Sequence, residues 1–167
     1  MARSDTEQAD VLDAVVKKLI DNIPLLSDKN CFISILPKPP YKVSDSLFLT
    51  VSPTAGNFPE DLLIGGGQNQ CTENSGVLVT IFSRYMAQRP DHDRDSLSDQ
   101  TRGILKMKRE VLRQLTALDL EWEGSKILRS EMIPTDASPA EPVQDPGENL
   151  VQLTIRFSTD FDWNLTA

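Results

Sequence analysis

The residues best suited to acid–base or metal chemistry surround the only histidine of the chain. His92 lies in the run Pro90–Asp95, where acidic residues alternate with other types as they do at the start of a calcium-binding loop. Such a loop also needs a glycine at its sixth position and a bidentate glutamate at its twelfth, and here Ser96 and Arg102 occupy those positions. The pattern therefore predicts a solvated turn whose acids favour the N-terminus of the following helix, with no bound metal ion.

Other residue sets that could support catalysis or cofactor binding are incomplete. Cys31 and Cys71 lie 40 positions apart, with no second histidine to complete a zinc site. The most glycine-rich stretch of the chain consists of Gly65, Gly66, Gly67 and Gln68. It lacks the Lys-Ser/Thr pair of a phosphate-binding loop. We therefore predict no catalytic residues, no metal and no cofactor, and we interpret this glycine-rich stretch as a loop that contacts a partner protein.

The second of two predicted helices, over Leu97–Leu118, carries several positively charged residues. The basic residues that form this stripe are Arg102, Lys106, Arg109 and Arg113. Their spacing of four, three and four positions places them on one side of a helix, away from its apolar side. The stripe is either an ordinary solvated surface or a contact with acids of a neighbouring copy, because an acidic protein with one basic stripe is electrostatically complementary to itself. We assign the four residues to a candidate subunit interface.

The overall composition excludes several classes of protein. The chain has 167 residues, 39% of them hydrophobic and 25% charged, which is typical of a folded protein with one domain over residues 1–167. No apolar run approaches the roughly 18 residues that a membrane-spanning helix requires. A formal net charge of −8 repels nucleic acid, so the sequence predicts no specific binding of DNA.

The two cysteines are predicted to be reduced side chains that are buried or half-buried. The first residues of the sequence contain acids and lack the apolar stretch of a secretory signal. This pattern favours a reducing compartment, in which disulfides are rare.

Hydrophobic periodicity predicts two helices and about five strands. One amphipathic helix is predicted over Asp10–Ile23, and a longer one over Leu97–Leu118. Strands are predicted at residues 31–36, 47–51, 77–85, 126–133 and 150–158. Apolar residues alternate with polar ones in the last strand, which indicates that one face of the sheet is solvated or meets a partner.

Two long segments, Ser52–Gly76 and Pro134–Gly147, are polar and rich in glycine or proline, and we predict them to be loops. Loops of this length within a compact domain are more often functional than idle. We expect them to become ordered only on a partner. Together the elements predict an α+β fold, in which two helices pack on one face of a mainly antiparallel or mixed sheet of about five strands.

The order of these elements resembles that of the tail terminator (tail completion) proteins of long-tailed bacteriophages. The matching features are the helix Asp10–Ile23, the loop-flanked strand Val77–Phe82, the long helix Leu97–Leu118, and the closing strand Val151–Phe157 with its aromatic tail Phe161–Trp163. The two long loops depart from the pattern of the family.

The resemblance implies a structural protein of the phage neck that has no catalytic activity. Such a protein forms a hexameric ring that caps the tail tube, stops its polymerisation and joins it to the head. The implied partners are further copies of the chain, the tail tube protein and the head-side connector or its adaptor. The resemblance also implies that genomic DNA passes through the ring without specific binding, and that the protein resides in the virion after assembly in the host cytoplasm.

Two other interpretations of the sequence stay open. The first is a different head–tail connector or head-completion subunit, which belongs to the same structural class. The second is a small α+β enzyme or ligand-binding domain, which would need a concave pocket with convergent polar groups.

Overall fold

The fold consists of three helices and eight strands within the part of the chain that the computed structural model describes. That part comprises residues 8–57, 70–84, 92–101, 103–116, 121–122, 125–126, 132–143 and 149–164. The helices are α1 (Gln8–Asn22), α2 (His92–Ser98) and α3 (Ile104–Leu115). The strands are β1 (Cys31–Ile33), β2 (Leu47–Asn57), β3 (Gln70–Arg84), β4 (Glu121–Trp122), β5 (Ser125–Lys126), β6 (Ile133–Ala137), β7 (Glu141–Pro142) and β8 (Leu150–Asn164). None of the described helices combines the length and the hydrophobicity that crossing a membrane requires.

Six of the strands form one open, mixed sheet. Its order is β1-β2-β3-β8-β6, and β7 also pairs with β8. The pairing of β1 with β2 is parallel, and every other pairing in this sheet is antiparallel. Strands β4 and β5 form a separate hairpin. The predicted α+β class with a mixed sheet is therefore confirmed, although the sheet has six strands where about five were predicted and the described chain has three helices where two were predicted.

The predicted loop Ser52–Gly76 is wrong at both of its ends. Strand β2 continues to Asn57, and β3 begins at Gln70, so much of the segment is the stem of a long hairpin. The polar half of β3 is held on its other side by β8, with a register that runs unbroken from Arg84↔Leu150 to Gln70↔Asn164. Backbone hydrogen bonds to β8, and to β2 at Asn74 and Gly76, stabilise this extended conformation.

Gly76 shows why a glycine is needed inside this stem. It pairs with Thr54 across the two strands. A Cβ atom at residue 76 would overlap with the Thr54 hydroxyl, so the close approach of the strands requires a residue without a side chain.

The predicted loop Pro134–Gly147 contains the two strands that form one edge of the sheet. Strands β6 and β7 pair with β8, and the linker between them is held by the Ser138 N–H, which donates to the Thr154 carbonyl at 2.8 Å. Pro134 and Pro142 are tolerated there because an edge strand needs backbone hydrogen bonds on one side only. The predicted strand 126–133 is described only at its ends, where Lys126 belongs to β5 and Ile133 starts β6. Residues 127–131 lie outside the described residues, so the prediction for them stays a prediction.

The predicted helix Leu97–Leu118 is interrupted at Gly103. Helix α2 ends at Ser98, and α3 begins at Ile104 with Gly103 as its N-cap, at φ −66° and ψ 121°. The Asp99 side chain stabilises the linker between the two helices. Its Oδ1 accepts hydrogen bonds from the Thr101 N–H at 2.8 Å and from the Thr101 hydroxyl at 2.7 Å. An aspartate that binds the backbone of the next residues favours a turn over a continuous helix, which explains the break.

Helices α1 and α3 pack on the same face of the sheet, where the main core lies. Helix α1 covers β1 and β2, and α3 covers β3 and β8. The core side chains include those of Val15, Leu19, Leu49, Val79, Ile81, Met107, Val111, Leu115, Leu153, Ile155 and Phe157. The predicted packing of the helices on one face is therefore confirmed.

The opposite face of the sheet carries a second, smaller apolar cluster under the segment 34–46. Phe48 and Phe82 stack there, with ring centroids 4.6 Å apart and planes 13° apart, and Val43 and Leu150 are buried against them. The Arg84 guanidinium fastens the segment by donating from Nη2 to the Val43 carbonyl at 2.6 Å. This face is consequently covered at one end, whereas Arg156 at the other end is exposed.

Candidate functional site

The basic stripe occupies the outer side of α3. Arg109 and Arg113 are exposed, on the side opposite the buried row of Ile104, Met107 and Val111. Neither guanidinium has a hydrogen-bond or ion-pair partner among the described residues. Within the part of the chain that the structure describes, both charges are exposed and unpaired.

Of the other two members of the stripe, Lys106 is described by the structure and Arg102 is not. The Lys106 ammonium donates to the Gln100 carbonyl at 2.9 Å and to Gln100 Oε1 at 2.6 Å. Lys106 consequently fastens the α2–α3 linker to the first turn of α3. Arg102 lies outside the described residues, so its assignment to the stripe stays a prediction.

A groove of about 340 Å³ lies beside Lys106, between the end of α1 and the first turns of α3. Its apolar wall includes Ile23, Leu47 and Met107, and its ionisable lining residues are Lys106 and Glu110. This lining suits an apolar side chain better than a polar substrate, because Lys106 is already bonded to Gln100.

Strand β1 and the segment 34–46 after it expose large apolar side chains. These are Ile33, Ile35, Leu36 and Tyr41, of which Ile35 is 88% exposed. A strand is predicted over residues 31–36, and the observed strand ends earlier, at Ile33. Pro37, Pro39 and Pro40 indicate that the strand stops, since prolines force the chain out of a sheet, but they do not indicate which of the preceding side chains are exposed.

The glycine-rich stretch Gly65–Gln68 lies outside the described residues. The described ends of its hairpin are Asn57 and Gln70. Its contact with a partner protein therefore stays a prediction.

No group of His, Cys, Asp or Glu side chains that could hold a metal ion occurs among the described residues. His92 is the first residue of α2, whereas a solvated turn was predicted for Pro90–Asp95. The prediction of a turn is wrong from His92 onward, because the helix starts within the predicted turn and its first residues include Asp93 and Asp95. Acids at this position interact favourably with the positive end of the helix dipole.

Cys31 is a free, buried thiol at the start of β1, as predicted. Burial raises the pKa of its thiol from 9.0 to about 12. The thiol is consequently protonated at neutral pH and unsuited to nucleophilic chemistry. Cys71 lies in β3 opposite Trp163. Its side chain is not among those that the structure describes, so its predicted burial stays a prediction.

We expect Cys31 to resist alkylation in the folded protein. In a Cys71→Ser variant, iodoacetamide at pH 8 should leave the native thiol unmodified and should label it fully in guanidinium chloride. The raised pKa also means that this group favours the folded state below pH 9, and that its contribution is lost as the pH rises toward 12. Rapid labelling of the native protein would contradict the burial of the thiol.

Comparison with known proteins identifies a likeness of fold. No protein-family profile matches the sequence, and no curated protein is significantly similar to it. The chain is similar to a chain in the solved structure titled "Virion of native gene transfer agent (GTA) particle", with a TM-score of 0.53 and 12% sequence identity. The likeness covers 92% of this chain and 95% of that chain, so the two share their overall fold along nearly their full lengths.

Proposed function

We propose that this chain is a structural protein of a phage-type virion that forms a ring at the neck, caps the tail tube and joins it to the head-side connector. The observation that carries the proposal is the full-length likeness of fold to a chain of a gene transfer agent virion. The resemblance of the element order to tail terminator proteins supports the same conclusion at helix α1 and the closing strand β8, whereas the long helix of that pattern is interrupted at Gly103.

The surfaces of the subunit support a role in assembly. The exposed guanidinium groups of α3, which packs on β3 and β8, and the exposed apolar side chains of β1 and the segment 34–46 belong to different elements. Unlike patches of this kind favour head-to-tail contacts, which close into a ring when the rotation between copies permits. The net charge of −8 suits the wall of a channel through which DNA slides without binding.

We expect the purified protein, or the protein bound to tail tubes, to form a closed ring of six copies of the 18.6 kDa chain. Light scattering coupled to gel filtration measures the mass, and electron microscopy shows whether the particle is a ring. Single copies or dimers, both in solution and in purified tails, would contradict the ring.

The position in the neck requires a separate experiment. Tails assembled without heads and heads assembled without tails can be purified and analysed by mass spectrometry. A tail terminator is expected on the tails, because it binds the end of the tube before the head joins. Recovery on the heads alone would instead identify a connector or head-completion subunit.

The proposal includes the absence of catalysis and of a bound cofactor. The described groove offers apolar walls, and its lysine is bonded to Gln100. Calorimetric titrations with calcium, zinc, ATP and duplex DNA test this part of the proposal. Micromolar binding of any of these ligands would favour the enzyme or ligand-binding interpretation.

A further inference from the structure

We propose that the outer row of α3 binds the β6–β7 edge of a second copy of this chain, an inference that rests on the proposed ring. The outer row consists of Leu105, Arg109 and Arg113, which are exposed and successively four residues apart. This spacing places one apolar and two cationic side chains in line along one side of the helix. Neither guanidinium group has a hydrogen-bond or ion-pair partner among the described residues.

The β6–β7 edge presents a complementary row. Ile133, Asp136 and Glu141 pair with Ser158, Arg156 and Gln152 of β8. Paired residues on neighbouring strands share a face of the sheet, and these β8 residues lie on the face opposite the helices. The edge therefore carries one apolar and two acidic side chains in line, on the side of the molecule away from α3.

The described part of this edge is acidic in sequence. Residues 133–143 contain Asp136 and Glu141 and no lysine or arginine, whereas α3 contains four bases and one acid. Arg156 approaches Asp136 from the same face, but its Nε lies 3.9 Å from Oδ2 and both side chains are more than half exposed. An exposed pair at that distance contributes little, and the carboxylate retains lone pairs for a second guanidinium.

The dimensions of the two rows are compatible. Leu105 to Arg113 spans about 12 Å of helix, and Ile133 to Glu141 spans about 20 Å of sheet edge as measured along β8. Extended arginine side chains can cover the difference. Each row begins with an exposed apolar residue, Leu105 at 46% and Ile133 at 56% exposure, so a contact buries apolar surface as well as pairing charges.

Each copy can use both rows at once because they lie on opposite sides of the sheet. The row on α3 binds one neighbour, and the β6–β7 edge receives the α3 row of the other neighbour. This arrangement is head-to-tail, as a ring requires.

Charge reversal on each row tests the contact. The variants Arg109→Glu with Arg113→Glu, and Asp136→Lys with Glu141→Lys, are each expected to raise the concentration for half-assembly at least about tenfold, because like charges then face each other. A control, Lys17→Glu with Lys29→Glu, changes the net charge as much as the α3 variant does, at exposed positions away from both rows, and should assemble normally. Thermal melting confirms that all variants fold.

Mixing the two reversed variants provides the decisive measurement. Each variant retains one wild-type row. In an equimolar mixture, the reversed α3 row of one variant can bind the reversed edge of the other variant, and the two wild-type rows can bind each other, so the variants alternate around the ring. Analytical ultracentrifugation is expected to show that the mixture regains the assembled mass. Normal assembly of either variant alone, or a mixture that stays dissociated, would contradict the proposed contact without contradicting the ring. A wild-type protein that never assembles overturns the proposed function itself.

Discussion

Replacement of Phe82 by alanine is expected to lower the free energy of unfolding by about 3–5 kcal/mol. The Phe82 side chain is fully buried and stacks on Phe48 beneath the segment 34–46. Its removal leaves a cavity lined by rings and aliphatic groups that cannot close, because Phe48 and Leu150 are fixed in neighbouring strands of the sheet. Urea denaturation followed by circular dichroism measures the loss.

The matched control for this substitution is Phe32→Ala. Phe32 belongs to the same cluster but is only partly buried, and its ring lies 6.0 Å from that of the exposed Tyr41. Its truncation is expected to cost about 1–2 kcal/mol, since less apolar area leaves water when the protein folds. Equal losses at the two positions would show that the cluster does not contribute to stability in the way the packing indicates.

The parts of the fold that the sequence predicts well are those with a strong apolar pattern. The helix predicted over Asp10–Ile23 is α1, and the alternation in Val151–Phe157 correctly separates the core-facing residues from those on the other face. Both elements bury one side against the main core. Burial of one side selects for a regular spacing of apolar residues, and that spacing is visible in the sequence.

The errors fall where backbone pairing or a single side chain decides the structure. Residues 52–57 and 70–76 are polar, yet they are strands because neighbouring strands satisfy their backbone groups. The break before α3 depends on one Asp99 side chain, within a sequence that otherwise reads as helix. Such interactions depend on tertiary context, so hydrophobic periodicity does not reveal them.

The candidate site shows the same division. The spacing of the basic residues on α3 correctly placed Arg109 and Arg113 on an exposed surface, because helical periodicity determines which side chains share one side. The acidic row on the β6–β7 edge could not be found in the same way. Its members pair with β8 through a register shift between Pro134 and Asp136, and only the sheet reveals that they share a face.

Replacement of Gly103 by alanine is expected to lower the free energy of unfolding by about 1–3 kcal/mol and to weaken ring assembly. A Cβ atom at residue 103 would lie 2.6 Å from the Asp99 amide nitrogen and would also collide with the Asp99 carbonyl oxygen. These are backbone atoms, so no change of rotamer relieves the overlap, and the α2–α3 linker must shift. The shift would displace the first turn of α3, and with it the end of the basic stripe next to Lys106.

The comparison that isolates this effect is Ser98→Ala, at the other end of the same linker. The Ser98 hydroxyl donates to the Arg94 carbonyl at 2.9 Å in an exposed position, and its loss is expected to change stability by less than about 0.5 kcal/mol. Intrinsic helix propensity favours alanine over glycine, so a tolerated Gly103→Ala change would show that the linker can relax. If the Gly103→Ala variant is less stable, still melts cooperatively and assembles poorly, the geometry of the α2–α3 linker determines how α3 presents its outer surface to a neighbouring copy.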